Sequence, residues 1–298
     1  MHRVAGTTVW KKFSAFLVLS SSLISGLLTV PLWAAELRLS APPRLGAAVM
    51  LEVRGVSEQA QVTGRWQQQE LPFTADHRAL LPLDMEAPVG VATLEVTIKE
   101  PGRVVERLQG SYTVAPRIYK EEPITLPKAK VEPDPEVLAR IERESRAITA
   151  TYERRGGRFG YDAGFQQPVQ GRFSGVFGSR RVLNGKPRKP HNGVDIAAPQ
   201  DTPVVAAAAG VVALVGVDYF FTGNTLVLDH GHGVVTLYAH LASMAVQEGQ
   251  WVAAGQVVGA VGMSGRATGP HLHWGALVRQ QRVDPLMLPG VGASDHSR

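Results

Sequence analysis

The residues best equipped for chemistry stand in two short runs, His191-Asn192-Gly193-Val194-Asp195 and Gly269-Pro270-His271-Leu272-His273-Trp274. Imidazole nitrogen and carboxylate oxygen are ordinary zinc ligands, and a catalytic zinc site takes three protein ligands while leaving one position open for water. Two histidines and one aspartate meet that count. Six of the nine histidines lie between His191 and His273, and the chain has no cysteine with which to build a different metal site. A lone His-X-His is a weak signal, but the joint pattern points to a metal.

The elements that must position these residues follow from local chemistry. In a helix His191 and Asp195 would share a face, but Asn192-Gly193 is a turn signal and Gly193 makes helix costly. His191 is therefore expected on a loop that enters a short strand from Val194 to Ile196. The run from His271 to Val278 carries Leu, Trp, Leu and Val behind a Gly-Pro boundary and reads as a strand. Strand period two sends His271 and His273 to one face and Leu272 to the other, which leaves open which of the two is the third ligand. His240 ends the strand-like run from Val234 and is placed to reach the same cleft. His230 and His232 sit in a His-Gly-His-Gly hairpin turn and read as polar turn residues. His77, beside Asp76, reads as a solvated loop residue.

Residues 1–34 read as a secretory signal: Arg3, Lys11 and Lys12, then an apolar run from Phe13 to Val30, then Leu32-Trp33-Ala34 at the expected cut. No later segment is apolar enough to span a membrane. Those three basic residues leave a balance of +2 for the rest of a chain whose total is +5. An excess that small and unclustered excludes a nucleic-acid footprint. With no cysteine, an exported chain must take its stability from buried cores rather than disulfides.

The chain divides by composition. Residues 35–116 hold about seven short alternating runs, clearest from Val91 to Lys99, and look like an immunoglobulin-like β-sandwich. Such a module is expected to dock the protein or cover its cleft. Residues 117–163 hold a proline-dense extended stretch (Pro123, Pro127 and Pro133, with Pro116 just before it) and then a helix. Asp134 caps that helix, Pro135 opens it and Gly156-Gly157 stops it. An apolar stripe of Leu138, Ile141, Ile148 and Tyr152 and the pairs Glu136–Arg140 and Glu142–Arg146 are expected on it. Residues 164–289 are Gly- and Val-rich and nearly all β by pattern, and residues 290–298 form a tail. Gly249-Gln250-Trp251-Val252 and Gly255-Gln256-Val257-Val258 repeat in the manner of biotinyl-carrier hairpins, but no lysine follows Lys189, so a carrier is excluded. The basic run Arg180, Arg181, Arg188 and Lys189 reads either as a loop over the cleft that attracts substrate carboxylates or as a plain solvated loop.

Residues 164–289 resemble the lysostaphin/LytM-type zinc endopeptidases of the bacterial cell wall. The resemblance rests on His191-X-X-X-Asp195, Tyr238-Ala239-His240-Leu241 and His271-Leu272-His273. Phe177-Gly178-Ser179-Arg180, Ala198-Pro199, Thr202-Pro203-Val204 and Gly262-X-Ser264-Gly265 extend it. It implies a mainly β, antiparallel, barrel-like peptidase domain of the duplicated hybrid motif type. It also implies one zinc per chain on His191, Asp195 and His273, with His240 and His271 as catalytic residues that orient or deprotonate the attacking water and stabilise the oxyanion. The implied substrate is a peptide bond of the peptidoglycan stem or cross-bridge, cut as a D,D-endopeptidase, in the periplasm or cell envelope. A regulatory protein partner is compatible with that setting. The alternative is a non-catalytic or autoinhibited activator of wall amidases; the intact ligand set favours an enzyme.

Overall fold

The computed structural model describes residues 35–124, 134–154, 158–187 and 189–291. The signal segment, Pro127, Pro133, Gly156-Gly157, Arg188 and residues 292–298 lie outside the described residues. Seven strands come first: β1 (Glu36–Leu39), β2 (Ala48–Arg54), β3 (Gln61–Trp66), β4 (Gln69–Leu71), β5 (Arg78–Pro82), β6 (Gly90–Lys99) and β7 (Glu106–Val114). They form a three-stranded sheet, β1-β2-β5, and a four-stranded sheet, β4-β3-β6-β7. Alternation explains the packing. Ala92, Leu94, Val96 and Ile98 of β6 are buried with Leu51, Leu81 and Trp66 in one apolar cluster, while the residues between them face water. His77 is buried rather than solvated: φ is +61° and its Nε2 lies 2.8 Å from the Ser57 carbonyl.

The proline-dense segment contributes a strand, β8 (Glu121–Ile124), followed by helix α1 (Pro135–Thr151). The Asp134 side chain accepts from the Glu136 amide at 3.1 Å, as a capping residue should. The expected helix face needs correction. Leu138 is 47% exposed, and the helix seats Ile148 and Tyr152 against Ala213, Val227, Val235 and Leu237. Arg140 turns away from Glu136 to Glu144, at 2.6 Å, because Glu144 and Asp218 together offer it two partners. Glu142 does pair with Arg146.

The remaining strands are β9 (Arg172–Gly175), β10 (Arg180–Leu183), β11 (Lys186–Pro187), β12 (Gly193–Ala197), β13 (Pro203–Val205), β14 (Gly210–Tyr219), β15 (Gly223–Asp229), β16 (Val234–Met244), β17 (Trp251–Val252), β18 (Val257–Val261), β19 (His271–Val278) and β20 (Gln281–Val283). Ten of them make one antiparallel sheet whose main path runs β17-β14-β15-β16-β19-β12-β9. Leu226, Leu228, Tyr238, Leu272, Trp274, Val194 and Ile196 point to one face and form the large core. The other face carries Leu237, Ala239 and Leu277, with the buried ends of α1 over them.

Two further expectations are refined. β10 and β11 make a hairpin, and β8 pairs with β10 in parallel, so Arg180 and Arg181 of the basic run lie in a strand joined to the proline segment. Pro123 is tolerated because β8 is an edge strand. The large core also takes in Ala48, Met50, Leu80 and Met85, and Arg282 reaches Asp84 at 2.6 Å and Glu86 at 2.7 Å, which ties the first seven strands to the large sheet.

Candidate metal centre

Asp195 on β12 and His273 on β19 are direct cross-strand partners, and strand alternation puts both on the face away from the large core. His191 precedes β12 on a loop pinned twice by backbone: its amide donates to the Ser179 carbonyl at 2.9 Å, and its carbonyl accepts from the Gly178 amide at 2.7 Å. The result is a triangle. His191 Nε2 lies 2.9 Å from His273 Nδ1 and 3.0 Å from Asp195 Oδ1, and His273 Nδ1 lies 2.9 Å from Asp195 Oδ1. A small divalent ion held at about 2 Å in tetrahedral geometry needs donors roughly 3.3 Å apart, so the spacing fits.

The donor set also fits on chemical grounds. His191 Nδ1 lies 3.0 Å from the Val176 carbonyl, which fixes the proton on Nδ1 and leaves a lone pair on Nε2. That lone pair faces a carboxylate oxygen and a second imidazole nitrogen. Three electron-rich atoms at this distance repel unless a cation or shared protons lie among them. The group His191, Asp195, His273 could therefore hold a metal ion, with His191 and Asp195 buried and the His273 side chain 12% exposed. Burial pushes the Asp195 carboxyl up, but the adjoining His191 and His273 imidazoles, when shared protons take the place of an ion among the three donors, outweigh it and hold the group well below the usual carboxylate range.

Space for the triangle is made by glycine. A Cβ on Gly175 would lie 2.2 Å from Asp195 Oδ2, and one on Gly193 would lie 2.9 Å from His273 Cε1.

His271 and His240 flank the triangle. Their rings are 4.7 Å apart, and His271 Nε2 is 4.0 Å from Asp195 Oδ1. Each has Nδ1 on a backbone carbonyl at 2.8 Å, Gly269 for His271 and Ser264 for His240. Both therefore present Nε2 as a proton acceptor. His240 does not end its strand. β16 carries one extra residue against β15 here, since Tyr238 faces Leu226 while Leu241 faces Asn224. Unbroken alternation would bury His240 beside Tyr238. The bulge, with φ of +63° at His240, returns its ring to the face of Ala239 and sends Leu241 into the core. Burial first, then the neighbouring His273, pushes the His240 pKa down to about 3.

The structure thus brings together all five expected residues: His191, Asp195, His240, His271 and His273. It separates His230, which is not a solvated turn residue. His230 is fully buried, with Nδ1 2.8 Å from the Ala209 carbonyl and Nε2 2.7 Å from Thr236 Oγ1. Sequence reasoning missed the carbonyls of Val176, Ser264 and Gly269, since any residue type supplies a carbonyl.

Comparison with known proteins agrees with this geometry. The profile of peptidase family M23 matches residues 189–285. A crystal structure from Pseudomonas aeruginosa, described as a candidate M23 peptidase, is 31% identical over 83% of this chain and 95% of its own, with a TM-score of 0.63. The DD-carboxypeptidase/endopeptidase Mpg of Neisseria meningitidis is 44% identical over 120 residues, which is 40% of this chain and 27% of Mpg. The peptidoglycan DD-endopeptidase ShyA of Vibrio cholerae is 40% identical over 116 residues, 39% of this chain and 27% of ShyA. The chain thus spans about a quarter of the length of these curated relatives.

Proposed function

Because the chain belongs to peptidase family M23, we propose that it is an exported, zinc-dependent D,D-endopeptidase that cuts peptide cross-links of peptidoglycan in the cell envelope. The observation that carries this reading is the convergence of His191 Nε2, Asp195 Oδ1 and His273 Nδ1 at 2.9 to 3.0 Å, with two further histidines beside them. The names of Mpg and ShyA support the substrate and bond. Among the described residues no helix is long and apolar enough to cross a membrane.

In this reading His191, Asp195 and His273 hold the zinc. When bound, the ion makes a water acidic enough to attack near neutral pH and polarises the scissile carbonyl. The other steps belong to the chain's own histidines. His271 and His240 have their Nδ1–H groups fixed on Gly269 and Ser264, so both aim Nε2 at the site, and one of the two takes the water's proton there. The imidazolium so formed hydrogen-bonds to the developing oxyanion through Nε2–H and then passes that one proton to the leaving amine, which returns it to the neutral form. Burial of His240 favours its neutral form before reaction, which keeps it an acceptor. We assign residues 164–289 to this peptidase unit and residues 35–116 to a module that positions it.

The test is mass spectrometry of purified sacculi digested with residues 35–298, with zinc, with chelator, and as His271→Ala. The expected result is new D,D cross-link products that vanish in both controls. Bound zinc without products overturns the enzymatic reading and directs the search to an amidase partner.

A further inference from the structure

The β14–β15 turn joins the helix to the catalytic face. Its tip, Asp218 to Thr222, is held from one side by α1. Glu144 Oε1 accepts from Arg140 at 2.6 Å, Glu144 Oε2 accepts from the Phe220 amide at 2.7 Å, and Arg140 also reaches Asp218. Glu144 is largely buried in doing so, its side chain 14% exposed. From its other side the same tip holds His240. The Thr222 carbonyl accepts the His240 amide at 2.8 Å, and the Phe221 carbonyl accepts the Arg266 amide at 2.9 Å. Gly223 packs so closely on Ser264 that a Cβ there would lie 2.2 Å from Ser264 Oγ. Ser264 in turn fixes the His240 ring through its carbonyl. The tip therefore grips His240 at both its amide and its imidazole.

This grip matters because His240 is the strained residue of the site. A non-glycine residue at a φ of +63° persists only where its surroundings hold it there. Relaxation of the bulge would return the ring toward the alternation that buries it. A hydrogen bond that a largely buried carboxylate accepts from a backbone amide is of the stronger kind.

We infer that Glu144 is a positioning residue for catalysis: by fixing the Phe220 amide it holds the tip whose Thr222 carbonyl keeps His240 on the catalytic face. The inference rests on the role of His240 in the proposed function, and its test separates the two. The readouts are hydrogen exchange of the His240 amide, zinc content, and kcat and KM on a cross-linked peptidoglycan fragment. In Glu144→Ala the His240 amide should exchange about tenfold or more faster, and kcat should fall roughly 10- to 100-fold, as a small misplacement of a catalytic group does. KM and the one zinc per chain should stay. Glu144→Gln keeps the acceptor for Phe220 and should restore both exchange and kcat. Glu142→Ala, on the exposed side of α1, should behave as the parent chain. If Glu144→Ala does not fold, Glu144→Asp, which keeps the charge but not the reach, takes its place. Unchanged His240 exchange overturns the inference, as does zinc loss in the variant or a failure of Glu144→Gln to restore kcat. If the parent chain cleaves nothing, the functional reading fails, and the exchange arm alone decides the role of Glu144.

Discussion

Asp195 and His273 stand directly opposite each other on neighbouring strands, and Asp195 Oδ1 lies 2.9 Å from His273 Nδ1. Two of the three donors thus rest on paired backbone, and only His191 comes from a loop. Sites built on strands hold their geometry better than sites built on loops, which sets the expectations below.

Removing a ligand and removing a flanking histidine should separate cleanly. His191→Ala, Asp195→Ala and His273→Ala should lose stoichiometric zinc in metal analysis. His240→Ala and His271→Ala should keep it while kcat falls about 100-fold or more, the usual scale for a lost acid–base group. Equal zinc loss in both sets would refute the division of roles.

Gly175→Ala should weaken zinc binding without touching a ligand. The new Cβ would lie 2.2 Å from Asp195 Oδ2, so the carboxylate must swing off its line to His191 and His273. A displaced ligand typically costs 10- to 100-fold in metal affinity, roughly the scale for lost supporting contacts. Competition against a coloured chelator measures it, and an unchanged Kd would mean that the strand yields instead.

Zinc should stabilise the folded chain. Without a cation, three electron-rich atoms face one another at 2.9 to 3.0 Å. Free zinc at 100 times Kd adds about 2.7 kcal/mol by mass action. The melting temperature should therefore rise with zinc and fall with chelator. In Asp195→Asn, which lacks the negative charge, that difference should shrink.

His230 makes stability depend on pH. Burial pushes its pKa from 6.5 down to about 4 in the folded chain. Between those values the unfolded chain binds a proton that the folded chain does not, so this contribution is complete above 6.5 and is lost as pH falls toward 4. Its size is about 3 kcal/mol, from the shift at 1.36 kcal/mol per unit. Urea unfolding from pH 7 to pH 4 should show the slope, and His230→Gln should flatten it. A slope that survives the substitution would assign the titration to another group.

Much of the site was legible in residue types and strand period. His191, Asp195 and the His271–His273 pair carry metal chemistry in their side chains, and alternation alone puts His271 and His273 on one face. The mainly β, antiparallel character was legible too, from Val-rich runs between glycine turns. The capped start at Asp134 was local, so it was readable. The helix's partners were not: Leu138 fits the stripe yet faces water, because the surface under α1 is set by the distant strands β14 and β16.

What the sequence by itself determined is the ligand inventory, the strands that carry it and the absence of a disulfide or carrier lysine. Each of these is a property of residues close together in the chain. The tertiary structure alone decided the rest. His240 looked like the last residue of an alternating strand, but its direction depends on one extra residue in the pairing of β16 with β15. His77 and His230 looked like turn residues, yet both are buried, with the Ser57 carbonyl on His77 and the Ala209 carbonyl and Thr236 hydroxyl on His230. A carbonyl has no letter in a sequence. Where one points is fixed by the folded backbone, and here the carbonyls of Val176, Ser264 and Gly269 set the tautomer and aim of His191, His240 and His271.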